Sequence, residues 1–100
     1  MDVLDDCQPG TVEAVAQRLE KMYETAFAGK ARGRYRLSMK HIQQLTGCRR
    51  VYPEPIRAVT RALYEKGYVL VDMETFFVVL SQRTFSSYRR VNDAVLERLA

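Results

Sequence analysis

The sequence has few of the residues that catalytic and metal sites use most often. Its 100 residues contain one histidine, His41, and two cysteines, Cys7 and Cys48, which follow no metal-ligand spacing. A zinc site or a catalytic triad is therefore not expected. There is also no glycine-rich phosphate loop and no pair of acids at catalytic spacing. We expect no enzyme activity, no metal and no cofactor, with His41 a surface residue.

Long apolar runs are also missing. No run approaches the roughly 20 residues that a membrane-spanning helix needs, so we expect no membrane partner. The N-terminus, residues 1–6, is acidic, and this predicts neither a secretory signal nor a transit peptide. Cys7 and Cys48 lie far apart and are interpreted as free thiols in a reducing compartment. These features favour a cytoplasmic protein of a single domain.

Positive charge is abundant but unevenly distributed. Residues 30–66 carry ten basic and two acidic side chains, whereas residues 1–29 carry two basic and six acidic ones. A basic patch of this kind attracts polyphosphates and is typical of nucleic-acid binding. The central third of the chain is therefore the first place to look for a site.

The stretch from Pro53 to Val69 predicts a helix with two different faces. Pro55 suits a first helical turn, and Gly67 suits a left-handed residue just after the last turn. One face carries the apolar residues Ile56, Val59, Ala62 and Leu63. The opposite face carries Arg57, Thr60, Arg61 and Tyr64. That second face suits the reading of base edges and phosphates, although plain solvation of exposed arginines explains the same spacing.

Two segments lie before this helix. Residues 30–36 hold four cations with an interleaved aromatic, which suits phosphate contact or entry into a groove, or equally a solvated linker. Ser38 then caps a second helix, which carries Lys40 outward and closes at Gly47. Residues 35–37 are short enough to form a single small strand between the basic segment and that helix.

A family resemblance appears in the same region. Pro-Ile-Arg at 55–57, Arg-Ala-Leu at 61–63 and Glu-Lys-Gly-Tyr-Val at 65–69 resemble the recognition helix and first wing strand of GntR-type DNA-binding domains. The resemblance extends over residues 38–80. It implies an α+β winged helix, with a three-helix core that includes a helix-turn-helix, a β-hairpin wing and, here, an additional C-terminal helix.

The turn between the two helices departs from the family. Helix-turn-helix motifs use three or four residues there, but residues 48–54 are several too many. Either the third helix starts early, at Pro53, or the turn is a true loop. Because the excess contains Arg49 and Arg50, it suits a phosphate clamp.

After Gly67 the pattern becomes extended. Residues 68–71 and 76–80 predict a hairpin around the tip residues 72–75. Asp72 and Glu74 make this tip acidic, so we expect it not to contact DNA. Both faces of the hairpin are apolar, and one of them needs a second cover.

The two ends of the chain complete the predicted architecture. Residues 1–10 are expected to be a tail, and a helix of about 18 residues should follow a Thr11 cap and end near Gly29. Residues 11–85 form the predicted winged-helix domain. Residues 86–100 form a last helix, capped by Ser86 or Ser87, which either covers the hairpin or pairs two chains. For a homodimer we expect an interface on the first or last helix, with Tyr88, Val91, Val95 and Leu99 as its best candidates.

Two functions remain open. The first is sequence-specific binding of double-stranded DNA by a transcriptional regulator or plasmid-maintenance factor. The alternative is a winged helix that binds protein and not DNA. The residues expected to contact DNA are Arg32, Arg34, Arg36, Ser38, Lys40, Arg49, Arg50, Arg57, Thr60, Arg61 and Tyr64.

Overall fold

A computed structural model describes residues 11–100, so the tail predicted over residues 1–10 lies outside the described residues, and Cys7 with it. Helices and one antiparallel sheet place the chain in the α+β class, as predicted. The elements are α1 (Thr11–Tyr23), β1 (Tyr35–Ser38), α2 (Met39–Thr46), α3 (Pro53–Glu65), β2 (Tyr68–Asp72), β3 (Phe76–Ser81), a 3-10 helix (Gln82–Ser87) and α4 (Asp93–Leu99).

The sheet has three strands in the order β1-β3-β2, and every pair is antiparallel. Alternate residues of a strand point to opposite faces, so the register decides which side chains meet the helices. Leu37, Leu70, Phe77 and Val79 share the inner face and are buried. The sheet therefore contributes one apolar layer to the core.

The helices contribute the second layer. Ile56, Val59 and Leu63 of α3 are buried, as the apolar stripe predicted, and they join Leu19 of α1 and Ile42 of α2 in one cluster. Leu19, Leu63 and Phe77 are fully buried. Because the apolar face of α3 packs closely in this core, the opposite face of α3 is directed outward.

Helix α1 is shorter than predicted and ends at Tyr23 rather than near Gly29. The Thr25 hydroxyl donates to the carbonyl of Lys21 at 2.7 Å, which satisfies a group left open at the helix end. Residues 27–30 then form a tight turn, with Ala28 at φ 52° and Gly29 at φ 81°. Ala26 and Phe27 continued the helical spacing by coincidence.

The central helices follow their sequence signals. The Ser38 hydroxyl accepts from the His41 N–H at 3.2 Å and caps α2, while Gly47 ends α2 with φ 70°. Helix α3 begins at Pro53, which settles the two alternatives in favour of the earlier start. Gly67 has φ 95°, the left-handed conformation predicted for it.

The hairpin forms where it was predicted, and its tip is ordered locally. The Asp72 carboxylate accepts from the Glu74 N–H at 2.8 Å, and Glu74 has φ 70°. Asparagine and aspartate side chains commonly stabilise turns in this way. Both acidic side chains at the tip, Asp72 and Glu74, are exposed.

The C-terminal segment differs most from prediction. The helix expected from Ser86 or Ser87 begins only at Asp93, because Asn92 caps it by accepting from the Val95 N–H at 3.0 Å. A 3-10 helix and an extended stretch occupy residues 82–92. The last helix has no buried residue, so it does not cover the hairpin. Among the described residues, no helix has both the length and the apolar character that a membrane span requires.

Candidate nucleic-acid interface

Helix α3 presents cations on the face opposite its buried stripe. Prolines at positions 53 and 55 occupy its first turn, where the missing N–H leaves no backbone hydrogen bond unmade. Arg57 and Arg61 lie one turn apart and are both exposed. Neither side chain has a hydrogen bond or ion pair with another residue in the range 11–100. Their full charge therefore faces solvent.

A shallow groove runs along this face. Arg57, Ala58, Arg61, Ala62 and Glu65 line it. The two alanines keep its floor low, so a flat ligand edge can approach the backbone. Glu65 was not among the expected site residues, although its spacing of four from Arg61 in a helix gave the signal. The Glu65 carboxylate repels phosphate, so we expect the phosphates of a nucleic-acid partner to lie away from this end of the groove.

The other two expected residues of α3 differ in availability. The Thr60 hydroxyl donates to the Ile56 carbonyl at 2.7 Å and is half-buried. It retains acceptor capacity only. Tyr64 is 59% exposed, so its phenol is free to contact a ligand. Tyr64 also anchors the next segment, because its carbonyl accepts from Gln82 Nε2 at 2.7 Å.

The turn between α2 and α3 is held by side chains of α2. The Cys48 N–H donates to Thr46 Oγ1 at 3.2 Å, and Gln43 Nε2 donates to the Arg49 carbonyl at 3.2 Å. Thr46 Oγ1 in turn donates to the Ile42 carbonyl at 2.8 Å. These bonds fix the backbone from which Arg50 projects, exposed, just before α3.

The remaining expected residues of this part of the chain are Ser38, Lys40 and Arg49. Lys40 is exposed on α2. Ser38 is half-buried and its hydroxyl is engaged by the helix cap, so its role is first of all structural. Arg49 is exposed but takes part in a further interaction, so it is less available than Arg50.

The cations of the basic segment are more constrained than those of α3. Arg32 forms an ion pair with Glu24 at 2.6 Å, and its guanidinium lies 5.7 Å from the centre of the Tyr23 ring. Arg36 lies over the Phe76 ring at 4.3 Å. Both contacts favour a fixed side chain over a mobile phosphate-binding one. Arg34, between them, is exposed and has no such partner among residues 11–100.

Tyr35 anchors this segment to α1. Its hydroxyl donates to the Leu19 carbonyl at 2.6 Å, and burial raises the pKa of the Tyr35 phenol well above its ordinary value. Its ring meets the Phe27 ring edge-on at 5.8 Å. The phenol therefore stays protonated as a donor, and β1 is held at a fixed position relative to α1.

The expected residues thus fall into two regions. The turn and α3 carry exposed cations close together in sequence, at Arg50, Arg57 and Arg61. The register pairs Tyr35 with Val79 and Ser38 with Phe76, so the basic segment enters the sheet at the end remote from the acidic hairpin tip. The partners Glu24 and Phe76 of the basic segment were missed, because neither lies at a sequence spacing that marks a contact.

One cysteine expectation is wrong. Cys48 is buried, with 3% exposure, and is disulfide-bonded rather than a free thiol. The other cysteine of the sequence, Cys7, lies outside the described residues. The expectation of a reducing compartment rested on free thiols and therefore loses that support.

Comparison with known proteins finds no significant match: no family model, no curated protein and no solved structure matches this chain. Within residues 11–100, no group of three or more histidine, cysteine or acidic side chains is placed to hold a metal ion. The interpretation of the site therefore depends on its geometry and charge alone.

Proposed function

We propose that the protein is a winged helix that binds double-stranded DNA, with α3 as the helix that enters the major groove. The observation that carries the proposal is the state of Arg57 and Arg61. Both are exposed, and neither forms an ion pair within residues 11–100, on the outer face of a helix whose inner face packs in the core. An arginine so placed can make the two-pronged contact to guanine that discriminates sequence.

The surroundings of α3 support the same orientation. Arg50 projects from the turn just before α3, and Lys40 is exposed on α2. Contacts from such positions to phosphate fix the register of a reading helix without carrying sequence information. The element order, with a short strand before α2 and a hairpin after α3, agrees with a winged helix.

A cellular role follows from this proposal. Sequence-specific binding of DNA suits a transcriptional regulator or a plasmid-maintenance factor. Either role would have the protein act where the genome or a plasmid resides, in the cytoplasm.

A second candidate function is protein binding by the same fold. It is favoured by the hairpin tip, where Asp72 and Glu74 are exposed and would repel phosphate. In this case the cations of α3 would meet acidic groups of a protein partner. The two candidates differ in what neutralises Arg57 and Arg61.

Fluorescence anisotropy with a labelled random-sequence duplex, at low and at physiological salt, separates them. DNA binding predicts an affinity that falls steeply with salt, by about 0.9 in the log–log slope for each phosphate neutralised. The double variant Arg57→Ala with Arg61→Ala should weaken this binding measurably, and it should lose far more affinity on a duplex selected from random sequences for tight binding. Arg18→Ala with Lys21→Ala, two exposed cations of α1, removes the same charge elsewhere and should change it little.

The outcomes are distinguishable. If the duplex is not bound at low salt, DNA binding is refuted and the protein-binding candidate is favoured. If both double variants lose affinity equally, the protein binds DNA through net charge alone and α3 has no special place.

A further inference from the structure

The outer face of the sheet is apolar, and no part of residues 11–100 forms a layer over it. The register places Val69 and Val71 of β2 beside Val78 and Leu80 of β3, on the side opposite the core. None of these side chains is buried. A sheet with one apolar face in the core and a second apolar face outside needs a further partner.

The C-terminal arm comprises residues 88–100, and it also has apolar groups that are not covered. Its apolar side chains are exposed: Tyr88 59%, Val91 70%, Leu96 59% and Leu99 80%. Val95 is half-buried, in a hollow that it forms with residues 87–91. The arm therefore has apolar side chains in excess of what its own chain covers.

The structure shows why the arm does not cover the sheet of its own chain. Just after β3, Gln82 is held by two hydrogen bonds at the end of α3. Its N–H donates to the Gly67 carbonyl at 3.0 Å, and its Nε2 donates to the Tyr64 carbonyl at 2.7 Å. Because α3 packs on the inner side of the sheet, these bonds direct the chain away from the outer face.

We infer that the arm of each chain covers the outer sheet face of a second copy, so that two chains form a reciprocal homodimer. The inference is independent of DNA binding. In such a two-fold assembly each chain gives one arm and receives one, so the apolar sides of both the arm and the sheet face are covered. The arm supplies residues 88–100 and the face supplies five apolar side chains beside Arg36, which approaches the roughly 20–30 residues per partner of a stable interface.

Charge complementarity also favours a second copy over an unrelated partner. The arm carries Arg89 and Arg90 before α4, and Asp93 within its first turn. On the sheet face the charges have the opposite signs in the same order: Glu74 lies at the hairpin tip and Arg36 lies further along the strands. Arg90 and Asp93 are separated by about 10 Å in extended chain, and the strands separate Glu74 from the level of Arg36 by a similar length.

Sedimentation equilibrium without DNA, from micromolar to submillimolar concentration, tests the inference. The wild type should approach twice the chain mass of 11.6 kDa. An arm variant, Val91→Glu with Leu96→Glu, and a face variant, Val71→Lys, should each be monomeric. Gln17→Lys, an exposed site on α1, adds the same charge as the face variant and should leave the dimer intact.

The face variant distinguishes this geometry from simple pairing of two C-terminal helices. Helix pairing predicts that Val71→Lys still dimerises, and that result overturns the inference. A wild type that stays monomeric at every concentration overturns it too, and would leave the face to a different protein. Circular dichroism melting of each variant shows whether it is folded, and Val78→Lys is a second face variant on the central strand.

Two further experiments test the same arrangement: mixing the two variants and reversing charges. The arm variant keeps an intact sheet face and the face variant keeps an intact arm, so a mixture of the two should form a weaker heterodimer through one arm–face contact. Arg90→Glu and Glu74→Arg should each weaken the homodimer about two- to fivefold, as exposed charge pairs do. The two reversals in one chain should restore it. Failure of the mixture to associate, or of the double reversal to recover, contradicts the arm-on-face arrangement.

Discussion

Two groups of arginines in this protein differ in a way that their sequence contexts hide. Arg57 and Arg61 on α3 have no partner among residues 11–100 and face solvent. Arg32 and Arg36, in the basic segment, are held by Glu24 and by the Phe76 ring. The basic segment has the denser charge, yet two of its four cations are engaged, whereas both of these arginines on α3 are unengaged within residues 11–100. Local charge density is therefore a poor guide to which cations can bind a partner.

The cause of the difference is the element on which each group sits. Successive turns of a helix carry the arginines of α3 in one direction, away from the core, and the neighbouring alanines have no polar group that could pair with them. The basic segment instead connects α1 to the sheet and must fold against both. Two of its cations, Arg32 and Arg36, meet side chains of those elements, and Arg36 comes to lie on the outer face of the sheet.

The largest effect on DNA binding is expected from Arg57→Ala. On a cognate site, obtained by selection from random duplexes, it should cost about 1–3 kcal/mol, because the two-pronged contact to guanine is lost. On random DNA the cost should be much smaller. Anisotropy titrations on both duplexes measure the two values, and Arg18→Ala on α1 is the matched control. Equal losses on both duplexes would reduce Arg57 to a phosphate contact.

Arg50→Ala should have the next largest effect. Arg50 projects from the turn before α3 and would contact phosphate, so its loss should weaken binding to every sequence to the same degree. The log–log salt slope should fall by about 0.9, the value for one phosphate contact. The corresponding change at Arg49 should be smaller, since Arg49 already takes part in another interaction. An unchanged slope for Arg50→Ala would show that the turn does not touch DNA.

The sequence predicted those features that depend on near neighbours. The Ser38 cap, Gly47, Gly67 and the two faces of α3 all follow from spacings of a few residues. The end of α1 could not be read in this way, because Ala28 takes a left-handed conformation that alanine alone does not favour.

Contacts between distant residues were equally hidden. Arg36 and Phe76 are far apart in sequence and meet only through the β1–β3 register. The anchoring of Gln82 on α3 is of the same kind. The candidate site was therefore predictable on α3, where one helix supplies it, and not in the basic segment, where three elements do.

Arg36→Ala should change the stability of the protein rather than its affinity for DNA. A cation over an aromatic ring at an exposed site contributes about 0.5–1 kcal/mol, so the free energy of unfolding should fall by that amount. The salt slope of DNA binding should not change. Arg34→Ala, in the same segment, should leave stability within about 0.5 kcal/mol of the wild type. Urea denaturation measures both, and equal stability losses would show that the ring contact contributes nothing.

The smallest effect is expected from Arg32→Ala. Its ion pair with Glu24 joins side chains that are 63% and 48% exposed, so solvent screens the attraction and both side chains lose rotamer freedom. A double-mutant cycle with Glu24→Gln should give a coupling of about 0.2–1 kcal/mol at low salt, and less at high salt. Arg32→Ala should not alter the salt slope of DNA binding, because Glu24 already offsets its charge. If the slope instead falls by about one contact, the guanidinium leaves Glu24 for phosphate. The basic segment would then join α3 in the interface, and the difference between the two groups of arginines would be a property of the free protein only.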